Sequence, residues 1–131
     1  EASSFKITDD IIYFTDRNQY LYRVSLSGGQ AELLIDQAVS QYEVLQGHLY
    51  YALAENGQLF ALDNEESINP GGQLEKMEIQ NGYLTAIFKK DSESPYKMMI
   101  IDKDGQILYK TMENIPLVRI ENGKLILVKD N

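Results

Sequence analysis

The side chains able to do chemistry in this chain are few, and most stand where a chain must turn. His48 is the only histidine and cysteine is absent. A Ser-His-Asp triad would have to use His48, and no Gly-x-Ser-x-Gly elbow accompanies it. A thiol nucleophile, a disulfide frame and a cysteine-held metal are excluded outright. Asp102-Lys103-Asp104-Gly105 has part of a calcium-loop pattern, but the register fails. With Gly105 at the sixth loop position, Ile100 and Thr111 fall where ligands belong. The segment is therefore read as a hairpin turn. Asp63-Asn64-Glu65-Glu66 offers four oxygen-bearing side chains in a row, read as a solvated loop, with a weak divalent site as the alternative. Asp9-Asp10 is also read as a turn, because other repeats place Gly there. Gly28-Gly29 and Gly71-Gly72 lack the Gly-Lys-Ser/Thr ending of a phosphate loop. No metal or cofactor is expected.

Tyrosine is the overused aromatic, with nine against four Phe and no Trp. Most of these rings suit sheet packing with the hydroxyl at the surface. The alternative is an aromatic face for a carbohydrate or peptide.

The elements that must position these groups come from one pattern. An apolar-x-apolar pair, a two-residue gap, Gly or Asp, one residue and a large aliphatic occur four times. The copies are Phe5-x-Ile7-x-x-Asp10-x-Ile12, Tyr42-x-Val44-x-x-Gly47-x-Leu49, Met77-x-Ile79-x-x-Gly82-x-Leu84 and Val118-x-Ile120-x-x-Gly123-x-Leu125. They recur every 35 to 41 residues. A period in this range marks stacked supersecondary units, each too small to bury its apolar face alone. Period-2 alternation, as in Tyr20, Tyr22, Val24 and Leu26, identifies the units as strands. Asn81-Gly82 and Asn122-Gly123 are strong hairpin signals, because both positions tolerate positive φ.

Each unit reads as a meander of about four strands. Second strands are expected at 12–15, 49–53, 84–88 and 125–128, and third strands at 20–26, 58–63 and 96–102. Residues 30–35 are read as a fourth strand. Unit two departs after Asp63, where the polar stretch 64–72 replaces a fourth strand and is the best candidate for a long mobile loop. Unit four ends after two strands. The expected fold is all-β: antiparallel four-stranded meander repeats as propeller-like blades, about three and a half of them. The result is an incomplete or open propeller in a single domain, with repeats near 5–40, 41–75, 76–116 and 117–131. A propeller closes with four to eight blades, so the chain is expected to be a module of a larger protein. Its terminal hairpin is expected to pair with the first strand or with a second molecule.

The net charge of −8 is uneven. Residues 1–75 hold 12 acids and 3 bases, and residues 76–131 hold 8 acids and 9 bases. An acidic chain repels phosphate backbones, which disfavours nucleic acid. The split reads as two differently solvated surfaces or as an acidic face for a basic partner. No apolar run reaches the length of about 18 residues that spans a bilayer.

Tyr13-Phe14-Thr15-Asp16 differs at one position from the Tyr-Trp-Thr-Asp repeat, and Leu21-Tyr22-Arg23-Val24-Ser25-Leu26-Ser27-Gly28 follows it. This stretch resembles YWTD-type β-propellers. It is closer still to propeller-like repeats of Gram-positive surface proteins, mostly of unknown function. The periodic likeness covers most of the chain, and the signature itself stands in unit one only. The resemblance implies an extracytoplasmic, secreted or membrane-anchored protein. The expected function is a non-enzymatic binding or scaffold module for a protein or carbohydrate ligand. The alternatives are a metal-assisted hydrolase or lyase, and a self-assembling structural subunit that completes a ring with copies of itself; a homodimer through the terminal strands is the expected form of any self-contact. Loops joining second to third strands converge at one end of the sheets, so the candidate binding residues are Arg17, Asn18, Glu55, Asn56, Asp91 and Tyr96.

Overall fold

The computed structural model describes residues 4–69, 72–89, 96–111, 117–121 and 124–128. They form an all-β fold without a helix. Sheet one is a meander of β1 (Ser4–Thr8), β2 (Ile11–Thr15), β3 (Leu21–Ser25) and β4 (Glu32–Ile35). Sheet two holds β5 (Val39–Leu45), β6 (His48–Leu53) and β7 (Leu59–Ala61). Sheet three holds β8 (Gln73–Gln80), β9 (Tyr83–Lys89), β10 (Tyr96–Ile101) and β11 (Ile107–Thr111). β12 (Leu117–Glu121) and β13 (Lys124–Val128) form a hairpin. Every pairing is antiparallel and sequential, and none of the sheets closes on itself.

The leading hairpins share one turn. Asp9-Asp10, Gln46-Gly47 and Asn81-Gly82 all hold two successive residues at positive φ, between 49° and 82°. That geometry matches the right-handed twist of the flanking strands. It is the reason for Asn and Gly at these positions, and it makes Asp9-Asp10 a turn, as the spacing indicates.

The middle sheet is packed on both faces. Tyr42, Val44 and Leu49 meet Tyr13 and Leu21 of sheet one. Leu45, Tyr50, Ala52 and Leu59 meet Met77, Leu84, Ala86, Phe88, Met99 and Ile101 of sheet three. Strand alternation explains this division, since successive side chains on β5 and β6 point to opposite sheets. One bulge reverses the rule. Val39 pairs with Leu53 and Gln41 with Ala52, leaving Ser40 as the extra residue. Gln41 thereby turns toward sheet three, while Val39 stays toward sheet one. β8 carries the matching irregularity at Glu75, also seven residues before its turn glycine.

One of the two pairings expected of the terminal hairpin is corrected. The hairpin β12–β13 does not pair with the first strand: among the described residues it is a two-stranded sheet of its own, and β1 pairs only with β2. After Asp63 the described residues 64–69 form a loop without a fourth strand, as expected, and that loop is tethered to β7. Ile68 N–H donates to Leu59 O at 2.8 Å, and Leu59 N–H donates to the Asn69 side-chain oxygen at 2.6 Å. The Asn69 amide donates in turn to Gly57 O at 3.2 Å and Gly72 O at 2.7 Å. Ile68 packs on the core beside Leu59. Ile68 and Asn69 thus satisfy Leu59 on the outer edge of β7 where a fourth strand would lie, and Asn64 N–H donates to Ala61 O at 3.1 Å.

Candidate functional site

The predicted loop residues divide into groups that serve their own turns and groups that face water. In the β2–β3 loop, the Asp16 carboxylate accepts from Asn18 N–H at 2.9 Å and Tyr20 N–H at 3.1 Å. This Asx-type turn leaves Arg17 and Asn18 exposed. In the β6–β7 loop, the Asn56 side-chain oxygen accepts from Gln58 N–H at 3.0 Å, which leaves Glu55 exposed and Asn56 half-buried. The two loops are neighbours because both bond the same linker: Val39 N–H donates to Gln19 O and Ala54 N–H to Ala38 O. Tyr96 opens β10 opposite Lys89, and Asp91 lies outside the described residues. Asp102 repeats the Asp16 motif, accepting from Asp104 N–H and Gln106 N–H at 2.9 Å each. Its carboxylate closes a turn, as the failed calcium register indicates. His48 is exposed beside the β5–β6 turn.

A further recess lies elsewhere, between the outer parts of sheets one and two. It is a cleft of about 600 Å³ lined by Leu34, Ile35, Asp36 and Gln37 on one side. Tyr51, Leu53, Phe60, Leu62 and the Asp63-Asn64-Glu65 turn form the other. Its aromatic wall is a stacked pair, Tyr51 and Phe60, with centroids 5.6 Å apart and planes 19° off parallel. Register explains the pair, since Tyr51 and Phe60 are directly opposed on β6 and β7. Burial pushes the Tyr51 hydroxyl above its ordinary pKa of 10.0, and the Asp63 charge adds to the rise. The phenol therefore stays a neutral donor through the physiological range. Asp36, Asp63 and Glu65 give the rim three carboxylates, and no cation stands among the described lining residues.

Sequence reasoning missed this cleft. Part of its signal was available in the shortened second unit, whose Asp63-Asn64-Glu65 turn forms one lip of the cleft. Tyr51 and Phe60 were visible as strand residues, but their opposition depends on the register of a three-residue strand.

A second polar assembly joins the first strands. Lys6 of β1 reaches Glu43 of β5 at 3.5 Å and sits 5.3 Å from the centre of the Tyr42 ring. Lys76 lies 3.8 Å from Glu78 on β8. Lys6, Glu43 and Glu78 each stand four residues before the turn residue of their repeat. Burial pushes the Glu43 carboxyl up, Lys6 opposes the shift, and the Glu78 charge adds a smaller push upward. Gln41 completes the row. Its amide donates to Glu75 O at 3.2 Å, and its oxygen accepts from Met77 N–H at 3.1 Å. The side chain acts as a surrogate peptide group on the edge of β8 and takes up the bulge carbonyl of Glu75. Tyr42 ties β5 to sheet one in the same manner, its hydroxyl donating to Tyr13 O at 3.3 Å. Apart from the Lys76–Glu78 pair within β8, these are cross-sheet ties.

Comparison of the chain with protein-family models finds no match, and comparison with curated proteins finds none either. The geometry carries the functional reading.

Proposed function

We propose that this chain is a non-enzymatic binding or scaffold module whose sheets stack as propeller-like blades. We place it outside the cytoplasm on the sequence resemblance alone. The observation that carries the reading is an uncovered face. In unit two, the repeat pattern supplies Tyr42, Val44 and Leu49, which pack on sheet one. In unit three, it supplies Met77 and Leu84, which pack on sheet two, while Ile79 between them stays 38% exposed. The pattern thus marks the face each sheet turns toward its predecessor. In unit one the same positions are Phe5 and Ile7, which are 65% and 56% exposed. Phe14 and Tyr22 lie on that face too, stacked with centroids 5.3 Å apart. Leu33, opposite Tyr22, is 47% exposed. A contiguous apolar surface on a sheet marks an interaction site. Its position in the repeat assigns it to an adjoining blade.

The test is sedimentation of the isolated chain across a concentration series. Self-association is expected, and the double variant Phe5→Glu with Ile7→Lys should be monomeric with an unchanged far-UV spectrum. A wild-type chain that sediments as a monomer at every concentration and binds no apolar dye would overturn the reading. Association that survives the double variant would move the contact to the terminal hairpin. A melting temperature indifferent to EDTA is expected of this module, whereas a metal-assisted hydrolase or lyase would lose stability.

A further inference from the structure

We infer that the cleft between β4 and β7 is a docking site for an extended, basic peptide segment of a partner protein. This deepens the binding half of the proposed function and rests on it, but not on the stacking of blades. Two independent features select the occupant. The first is charge. The rim carries Asp36, Asp63 and Glu65 with no neutralising cation among the described lining residues, within a half of the chain that holds 12 acids and 3 bases. A cationic side chain gains from this field and from the faces of Tyr51 and Phe60 below it. The second is backbone. β4 ends in the cleft and pairs only with β3, so among the described residues its second edge is unmatched. An unmatched edge recruits an extended chain through main-chain hydrogen bonds, with alternate side chains entering pockets. The facing edge of β7 cannot compete, because Ile68 and Asn69 occupy it. A small organic cation would satisfy the rim but leave the β4 edge unused. An extended peptide satisfies both.

The experiment uses three probes on the full chain: a peptide of about six residues alternating Arg and Val, its Glu/Val counterpart, and spermine. Titration is followed by amide chemical shifts. The Arg/Val peptide should perturb residues 34–37 and 60–65 and should bind about tenfold more weakly when salt rises from about 50 mM to about 500 mM. The triple variant Asp36→Asn, Asp63→Asn, Glu65→Gln should weaken it at least about tenfold while leaving thermal melting in place. An Arg/Val peptide N-methylated on alternate residues, which removes one edge of donors, should bind at least about tenfold more weakly. Failure of the Arg/Val peptide to bind, equal binding of the Glu/Val peptide, spermine as tight as the peptide, or indifference to N-methylation would each overturn the inference. None of these outcomes bears on self-association through Phe5 and Ile7, so the two readings fail separately.

Discussion

β4 and β7 are the outer strands of adjacent sheets, and they treat their unpaired backbone in opposite ways. β7 is three residues long, yet its outer edge is occupied by Ile68 N–H and the Asn69 side chain. β4 is four residues long, Glu-Leu-Leu-Ile, with no Lys or Pro and with Leu33 exposed. Natural sheets usually blunt an edge of the second kind with charge, proline or a covering loop. On the inference drawn above, the open edge beside the charged cleft serves recognition, whereas the capped edge serves stability. The comparison teaches that a shortened unit need not be the weak one. Unit two lacks a fourth strand, and the Ile68 backbone with the Asn69 side chain stands in for its hydrogen bonds to Leu59.

The largest effect expected from breaking the capped edge is at Gly57. Its φ is +68°, and a Cβ there would stand 2.6 Å from the Gln73 Cβ. The Gly57→Ala variant combines a left-handed backbone penalty with a clash against a strand, about 2–4 kcal/mol together. A denaturant midpoint within error of wild type would contradict this. Asn69→Ala removes three hydrogen bonds at once and leaves the Leu59 N–H without a partner, for a loss of about 2–3 kcal/mol. The same variant turns β7 into an open edge, so aggregation on heating should rise alongside.

The reverse experiment gives β4 a blunted edge. Leu33→Lys replaces a half-exposed side chain on the strand whose only charge, Glu32, is paired with Arg23 of β3. Stability should stay within about 0.5 kcal/mol, the usual range for a surface change, while heat-induced aggregation falls. A melt shifted well outside that range would show that Leu33 is already part of a packed surface.

The smallest effect concerns the cleft between the edges. Tyr51 has its pKa raised by burial first and by Asp63 second. The sign follows from proton linkage: the fold holds this proton more tightly than the unfolded chain does, so Tyr51 costs stability as pH rises above 10.0. Asp63→Asn should lower the Tyr51 midpoint part of the way toward 10.0, leaving the share due to burial. The ¹³Cζ shift of Tyr51 reads this directly. A midpoint unmoved by the substitution would place Asp63 outside the field of the ring.

The strand pattern and the leading turns were legible in the sequence because they depend on neighbours. Period-2 alternation fixes which residues share a face, and two successive positive-φ positions demand Asn, Asp or Gly, as at Asn81-Gly82. Gln46 holds positive φ as well, at 49°, although nothing in its side chain announces it. The role of Asn69 was not legible. Its partners Gly57 and Leu59 lie twelve and ten residues away across a turn, and a polar stretch with Pro70-Gly71-Gly72 looks the same capped or free. The cleft was hidden for a related reason. Asp36 and Asp63 belong to different units, and only the stacking of sheet on sheet brings them to one rim. The candidate loop residues Arg17 and Glu55 were placed correctly in their turns, yet those turns consume the polar groups of Asp16 and Asn56 internally.

Gln41 has a consequence for the order in which the molecule comes apart. The Met77 amide proton is held by the Gln41 side chain, not by a neighbouring strand. It therefore exchanges with solvent once Gln41 lets go, which separation of sheet three from sheet two brings about even if both sheets remain intact. Its exchange rate is a built-in gauge of undocking, distinct from the unravelling of either sheet. Met77 exchanging faster than the β8–β9 ladder amides would identify the joint between sheets as the first seam to open.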